Sequence, residues 1–415
     1  KVDNESLYIR QIYFMKKQKI ERTEKETLKT FQKEIPSNYF FNKNKNQYSK
    51  IVKNAEYMYK YNFKLPPEVF KNKKLIDFGA GTGENTIYLA NWGAQCTLVE
   101  MNPIAHNISK KVFKKYCKSK KGHKFINSSI FDVKVKKNFY DIVHCRGVLS
   151  HTSGKEIAFK KIASSLKKGG ILIFGDPNKS GGFQNMLQRY AVYRFSKNDE
   201  EMVRVSEYLF KDDIDRSYAA VPRTRREIIF DRWVIQSQDD PSINEVLSWM
   251  KKSNLKFYSS YPSLPSFYNI DSFYHKKKNG IEDFRNILSL SEYLWMTHTE
   301  DDNKFLGKIN RDIKPFSDSL KSLSDYVANC NKNTKINYSL FKNRTKSISK
   351  FAKNLNFLNI ANKKSVIFFK ECDQFINLTK KGDLIKLKKF VKKTKFLFKD
   401  AVGLRHTDYI AYKMK

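Results

Sequence analysis

The chain has few acidic residues to balance its bases. It contains 80 Lys and Arg residues against 42 Asp and Glu residues, which gives a formal net charge of +38 over 415 residues. Such an excess is typical of proteins that bind nucleic acid, anionic membranes or phosphorylated ligands. A protein from an AT-rich genome carries the same Lys-rich bias without any functional meaning. The charge alone leaves both explanations open.

Cysteine is scarce, and no long apolar run is present. The five cysteines are scattered, and none belongs to a C-x-x-C motif or a Cys/His cluster, which disfavours a disulfide framework and a structural zinc site. No stretch approaches the roughly 18 apolar residues that span a bilayer. The first twenty residues are too charged for a secretory signal. We therefore expect a cytoplasmic protein without a transmembrane segment or a metal site.

Strand and helix signals alternate between residues 71 and 178. The run KLIDFG ends in glycine, the helix ENTIYLAN follows it, and CTLVEMNP is the next strand. Three further strand-like runs, KFINSSIF, YDIVHCRGVL and GILIFGDPN, continue the pattern. This alternation predicts an α/β fold with a parallel sheet that is covered on both faces.

The other segments predict helices around this sheet. We expect a helical N-terminal segment over residues 1–70 and a main domain over 71–262, with a helical lid at 183–232. Residues 263–399 predict a Lys-rich helical insertion. Residues 400–415 alternate with period two, which predicts a final strand of the sheet beside the run KFYSSYP.

The segment LIDFGAGTGENTIYL carries glycines at alternate positions between a strand and a helix. Gly79, Gly81 and Gly83 let the backbone turn sharply and approach a ligand without interference from Cβ atoms. Asp77 precedes them, and Glu100 ends the next strand roughly twenty residues on, where an acid can accept both hydroxyls of an adenosine ribose. The pattern predicts a nucleotide-binding loop.

With these motifs in this order, the chain resembles the class I S-adenosylmethionine-dependent methyltransferases. DFGAGTGE is similar to the first motif of that family, and VEMNP to its second acidic strand end. YDIVHCRGVLSHT and SLKKGGILIFGDPN are similar to its fourth and fifth strands. The resemblance is close over residues 71–178 and looser over 240–262. It implies a Rossmann-like, seven-stranded methyltransferase sheet and the cofactor S-adenosylmethionine.

The resemblance also implies a set of cofactor-binding residues. In SSIFDV, Asp132 stands where the family usually contacts the adenine amine, with Ile130 and Phe131 beside the ring. The expected cofactor site is therefore Asp77, Gly79, Gly81, Gly83, Glu100, Met101, Ile130, Phe131 and Asp132. A dinucleotide site is the structural alternative, but it favours the spacing G-x-G-x-x-G. Here Glu84 follows the glycines, and its carboxylate would repel a pyrophosphate but not a cationic sulfonium.

Two residues are candidates for catalysis. Methyl transfer needs a base only when the acceptor loses a proton. His151 follows the fourth strand, at the edge where ligands bind in such sheets, and is either a base or a loop residue that shapes the site. Asp176 follows the fifth strand and either contacts the acceptor or forms an Asx turn before Pro177. His144 lies within the apolar run DIVHC and is interpreted as a core residue.

The segment after the fifth strand is rich in Arg and Tyr. Arg189, Tyr190, Arg223 and Arg226 are predicted to contact an anionic acceptor, because a guanidinium binds two oxygens of a carboxylate or phosphate at once. The alternative is a set of helices held by salt bridges to the acids between residues 200 and 215.

The sequence predicts methylation of a small or medium-sized acceptor at O, N or C. The segment QSQDDPSINEVLSWMKKSNLKFYS resembles family members that act on small metabolites. A nucleic-acid acceptor is the alternative that the charge favours, although HCRG replaces the Asn/Asp-Pro-Pro-aromatic motif of enzymes that methylate base amino groups. A non-catalytic module that only retains cofactor binding is a third hypothesis, disfavoured by the intact glycine loop and acids.

Overall fold

The computed structural model describes most of the chain, in ten stretches. These are residues 4–35, 45–119, 122–221, 223–264, 281, 285–297, 314–329, 336–354, 359–399 and 405–414.

Helices and strands alternate through the first half of the chain. The strands are β1 (Lys74–Phe78), β2 (Gln95–Glu100), β3 (Lys124–Asn127), β4 (Tyr140–Arg146), β5 (Leu166–Pro177), β6 (Leu255–Tyr261) and β7 (His406–Lys413). The first nine α-helices are α1 (Asn4–Lys33), α2 (Lys45–Tyr57), α3 (Ile87–Asn91), α4 (Pro103–Tyr116), α5 (Lys155–Ser165), α6 (Phe183–Arg194), α7 (Asp199–Ala220), α8 (Arg225–Ile229) and α9 (Ile243–Lys252). The others are α10 (Arg285–Thr297), α11 (Lys314–Ala328), α12 (Tyr338–Asn354), α13 (Asn359–Lys381) and α14 (Leu384–Lys393).

The seven strands form one sheet in the order β3-β2-β1-β4-β5-β7-β6. β1 to β5 run parallel, and their segments are mostly apolar because both faces of the sheet are covered. β7 runs antiparallel between β5 and β6, so the last strand of the chain lies inside the sheet and β6 is its edge. The predicted Rossmann-like, seven-stranded α/β sheet is confirmed.

A second apolar core lies within the helices that follow β5. Side chains from α6 and α7 pack there with side chains from α10, α11, α13 and α14. Eleven of the twelve residues of α6 are buried. The segments expected to form a separate lid (183–232) and insertion (263–399) therefore share one hydrophobic cluster, and α6 is one of its central helices.

No helix in the described ranges is long and apolar enough to cross a membrane.

Candidate active site

The loop after β1 is tied to the end of β2 by the carboxylate of Glu100. The backbone N–H of Gly81 donates to Glu100 Oε2 over 2.8 Å, and the N–H of Asn102 donates to Glu100 Oε1 over 2.7 Å. Gly79 has a φ of +69°, and a Cβ atom there would lie 2.5 Å from Cγ2 of Val148. A side chain is therefore excluded at Gly79, because the loop passes so close to the segment after β4.

Asp77 fastens this loop from behind. Its carboxylate accepts a hydrogen bond from the hydroxyl of Thr86 and lies 2.7 Å from Nδ1 of His144. The other ring nitrogen of His144 lies 3.1 Å from the hydroxyl of Tyr59. All four side chains are buried, so Asp77 and His144 position the strands and the loop rather than face a ligand.

A cavity of about 430 Å³ opens at the carboxyl edge of the parallel strands. Of the predicted site residues, Gly79, Gly81, Glu100, Met101, Ile130, Phe131, His151 and Arg223 line it. Asp77, Gly83, Asp132, Asp176, Arg189, Tyr190 and Arg226 do not belong to its lining. The residues expected for ribose and adenine therefore share one cavity with the candidate base.

The N-terminal helix α1 covers this cavity, which the sequence did not predict. Leu28 and Phe31 are among its lining residues, and the hydroxyl of Thr27 donates to the carbonyl oxygen of His151 over 3.2 Å. The side-chain amide of Asn102 donates to the carbonyl oxygen of Phe31 over 3.0 Å. Helical spacing of the inward-facing residues was the available signal, but it was weak because Thr23 and Thr27 interrupt the apolar stripe.

His151 faces the cavity in a form suited to accept a proton. Its Nδ1 lies 3.2 Å from the carbonyl oxygen of Ser237, so this nitrogen carries the hydrogen and Nε2 keeps its lone pair. The edge of the Phe31 ring packs on the imidazole, with the ring centroids 5.2 Å apart. Burial lowers the pKa of His151, which keeps the ring neutral at neutral pH.

Asp176 holds the turn that presents His151. Its carboxylate accepts hydrogen bonds from the backbone N–H groups of Leu149 (3.0 Å) and Ser150 (3.2 Å) and from the hydroxyl of Ser150 (3.1 Å). Burial, and then the neighbouring Asp240, raise the pKa of Asp176 to about 8. The position of Asp176 does not support contact with an acceptor, because its oxygens are turned to this backbone and only 1% of the residue is exposed.

The predicted Arg cluster is mostly engaged in structural contacts away from the cavity. The guanidinium of Arg189 is buried against the hydroxyl of Tyr193 (2.7 Å) and carbonyl oxygens of the segment after α8. Tyr190 is buried in the helical core. Arg226 pairs with Glu34 and Glu200, each at 2.6 Å.

Only Arg223 of this predicted group lines the cavity. Its Nη1 donates to Asp231 over 2.8 Å, so it too belongs to a salt bridge. The alternative interpretation of this segment, helices held by ion pairs, describes these arginines better than an anion-binding lid does.

Three cavity residues at the other wall were not predicted from the sequence. Arg146, at the end of β4, donates through Nε (2.6 Å) and Nη2 (2.9 Å) to the two carboxylate oxygens of Asp408 in β7. Burial opposes ionisation of Asp408, yet the charge of Arg146 holds its pKa well below the usual range. His406 and Pro177 complete this wall. No local pattern links Arg146 to Asp408, since 262 positions separate them.

The charge of the cavity favours a cationic ligand. Its lining holds the carboxyl groups Glu24, Glu84, Glu100 and Asp231 and the guanidinium groups Arg146 and Arg223. Both guanidinium groups are already paired with a carboxylate. Burial raises the pKa of Glu24, Glu84 and Glu100, so a bound cation would stabilise their ionised forms. A sulfonium cofactor fits these residues, whereas a pyrophosphate would meet like charge.

Comparisons with known proteins agree with this geometry. A family model described as a methyltransferase domain matches residues 53–206, which include β1 to β5 and the glycine loop. A sequence search of curated proteins gives no match. The chain therefore carries a methyltransferase domain, and the charge of its cavity suits the cofactor S-adenosylmethionine that its motifs predict.

Several solved structures are similar to the chain at low identity. A S-adenosylmethionine-dependent methyltransferase from Thermotoga maritima is 17% identical over 53% of this chain and 82% of its own, with a TM-score of 0.29. Magnesium protoporphyrin IX methyltransferase from Synechocystis PCC 6803 is 12% identical over 52% of this chain and 75% of its own, with a TM-score of 0.32. A Bacillus halodurans protein described as a putative methyltransferase is 13% identical, with a TM-score of 0.29. The match covers 46% of this chain and 65% of that protein, so this chain spans less than two thirds of its length. These likenesses are too low to indicate an acceptor.

Proposed function

We propose that this protein transfers the methyl group of S-adenosylmethionine to a small or medium-sized acceptor bound between the sheet edge and α1. One observation carries the proposal: the wall expected to hold adenosine and the candidate base His151 line the same cavity. A cavity of about 430 Å³ is within the usual range for small-molecule ligand sites. The bound cofactor supplies an electrophilic methyl group, and the protein aligns the acceptor with it.

We assign cofactor binding to the residues along the glycine loop and the ends of β2 and β3. Glu100 is the group proposed to accept the ribose hydroxyls, and Met101, Ile130 and Phe131 to pack beside the adenine. The backbone of Gly79 and Gly81 bounds the same wall. Asp77 and Gly83 support this wall from within the fold, and Asp132 is exposed and lies outside the cavity lining.

We assign the role of base to His151 for acceptors that lose a proton as they are methylated. Its Nε2 lone pair is available, because the hydrogen bond to Ser237 fixes the proton on Nδ1. The turn held by Asp176 and the edge contact from Phe31 restrict the orientation of the ring. The cover formed by α1 excludes water from the same space, which protects the transfer from competing hydrolysis.

Two measurements test this function. S-adenosylhomocysteine should bind the purified protein and raise its melting temperature, as a ligand of the native state must. Labelled S-adenosylmethionine should then transfer its methyl group to a member of a metabolite panel. For an acceptor that loses a proton, His151→Ala should abolish most of that transfer. No binding of either cofactor form at millimolar concentration would refute the proposal.

A nucleic-acid acceptor is the second candidate, and the surface of α14 favours it. Five of the ten residues of this helix are lysines, and Lys386 has 74% of its side chain exposed. Phosphate contacts of that kind would show as a steep loss of RNA affinity with rising salt. Labelled-methyl transfer to RNA and not to metabolites would favour this candidate over the first.

A further inference from the structure

Glu84 is a buried carboxyl group with no defined role in cofactor or base chemistry. Only 3% of the residue is exposed, and it lines the cavity. Neither of its oxygens accepts a well-formed hydrogen bond from a described residue. The nearby hydroxyl of Thr82 offsets its burial only in part.

The other buried carboxylates of this region are fully engaged. Glu100 accepts hydrogen bonds from two backbone N–H groups, and Asp176 accepts three hydrogen bonds. Asp408 accepts two hydrogen bonds from the guanidinium of Arg146. Buried polar groups in proteins are nearly always paired, because an unpaired one loses its hydration without compensation. Glu84 differs from these carboxylates in this respect.

The charges around Glu84 do not neutralise it. The charge of Arg223 lowers its pKa, but Nη1 of Arg223 is committed to Asp231, and Glu227 acts in the opposite direction. Burial dominates and raises the pKa of Glu84 to about 9. In the protein alone this side chain is thus a neutral acid at neutral pH, held next to a cavity with an excess of carboxyl groups.

We propose that Glu84 binds a primary ammonium group of a ligand in this cavity. An ammonium carries three N–H donors and a full charge, which together satisfy two carboxylate oxygens in a confined space. A sulfonium also carries a positive charge, but it has no N–H donor and leaves the hydrogen bonds of these two oxygens unmade. On binding, Glu84 loses its proton to solvent and the ligand remains an ammonium, so one proton leaves the complex.

Two ligands can supply this group. One is the α-ammonium of the amino-acid end of S-adenosylmethionine, and the other is an amine carried by the methyl acceptor. The inference rests on the proposed function, since both ligands belong to the methyl-transfer reaction. The experiment below separates the two sources and also separates failure of Glu84 from failure of the function.

The test compares Glu84→Gln with wild type, and Glu68→Gln serves as a matched control because Glu68 is exposed and lies outside the cavity lining. Glutamine has the shape of the protonated acid, so Glu84→Gln should keep the wild-type melting temperature. Calorimetry would measure binding of S-adenosylhomocysteine and of 5′-methylthioadenosine, which lacks the amino-acid end. Titrations in phosphate and Tris buffers at pH 7.5 would count the protons released.

Four results are informative. If the ammonium belongs to the cofactor, Glu84→Gln should weaken S-adenosylhomocysteine at least about tenfold, remove the proton release and leave 5′-methylthioadenosine unchanged. If it belongs to the acceptor, cofactor affinity should stay the same and the KM of the acceptor should rise by a similar factor. Unchanged affinity, proton release and KM would overturn the role of Glu84. Failure of the wild-type protein to bind S-adenosylhomocysteine would instead overturn the function itself.

Discussion

Replacing Glu100 provides the most direct test of the cofactor site. In Glu100→Ala the ribose hydroxyls lose the carboxylate proposed to accept them, and the N–H groups of Gly81 and Asn102 lose their acceptors. A hydrogen bond to a charged group contributes about 1.5–3 kcal/mol. In the ligand-free Glu100→Ala variant the loop is also less ordered, because these N–H groups have lost their acceptor. Part of the lost free energy therefore comes from the loop and not from the contact with the ligand.

The expected loss of cofactor affinity follows from these contacts. We count one hydrogen bond between the ribose and Glu100 after the loop has reorganised. On this count, Glu100→Ala should weaken the binding of S-adenosylhomocysteine by about 1.5–3 kcal/mol, or roughly 10- to 150-fold. Glu100→Gln should lose less, since one acceptor oxygen remains, although its amide faces a backbone N–H. The affinities of both variants refer to the folded fraction of the protein.

Isothermal titration calorimetry measures these affinities, and circular dichroism checks that each variant is folded. Glu68→Gln, an exposed acid outside the cavity, should match the wild-type dissociation constant. A folded Glu100→Ala protein that binds S-adenosylhomocysteine within twofold of wild type would refute the assignment of Glu100 to the ribose.

Three further outcomes are expected. His151→Ala should lower turnover roughly 10²- to 10⁴-fold at saturating substrate, while cofactor affinity stays within about threefold. In the wild type, turnover should fall only as the pH drops below about 6.5 and stay level above it, because burial lowers the pKa of His151. Arg223→Ala should alter the KM of the acceptor, since Arg223 lines the cavity; steady-state kinetics equal to those of the wild type would remove Arg223 from the site. Deleting residues 404–415 should abolish cooperative thermal unfolding of the domain, because β7 lies between β5 and β6; a truncated protein with the wild-type melting temperature would contradict this.

Residues of α1 form part of the cavity wall. This helix brings Thr27 and Phe31 onto the segment that presents His151, and ion pairs with Arg226 and Asp199 attach its C-terminal end to the helical layer. Movement of α1 would therefore alter both access to the cavity and the environment of His151.

Short-range patterns in the sequence were sufficient to predict several parts of this protein. The glycine spacing, Glu100 at the end of β2 and the alternation of apolar runs with helices are local, because a turn, a strand end and an amphipathic face are each encoded within a few residues. The period-two pattern of the last residues likewise predicted β7 beside β6. These features were sufficient for the fold and for one wall of the cavity.

The contacts between charged and apolar groups across the cavity depend on long-range folding and could not be predicted from the sequence. The same sequence features allowed the arginines after β5 to bind an acceptor or to form salt bridges, and their partners, such as Glu34 for Arg226, lie far away in the chain. The pairing of Arg146 with Asp408 and the cover formed by α1 are also long-range. Ion pairing and burial depend on distances in space. For residues far apart in the sequence, these distances are set only when the backbone folds.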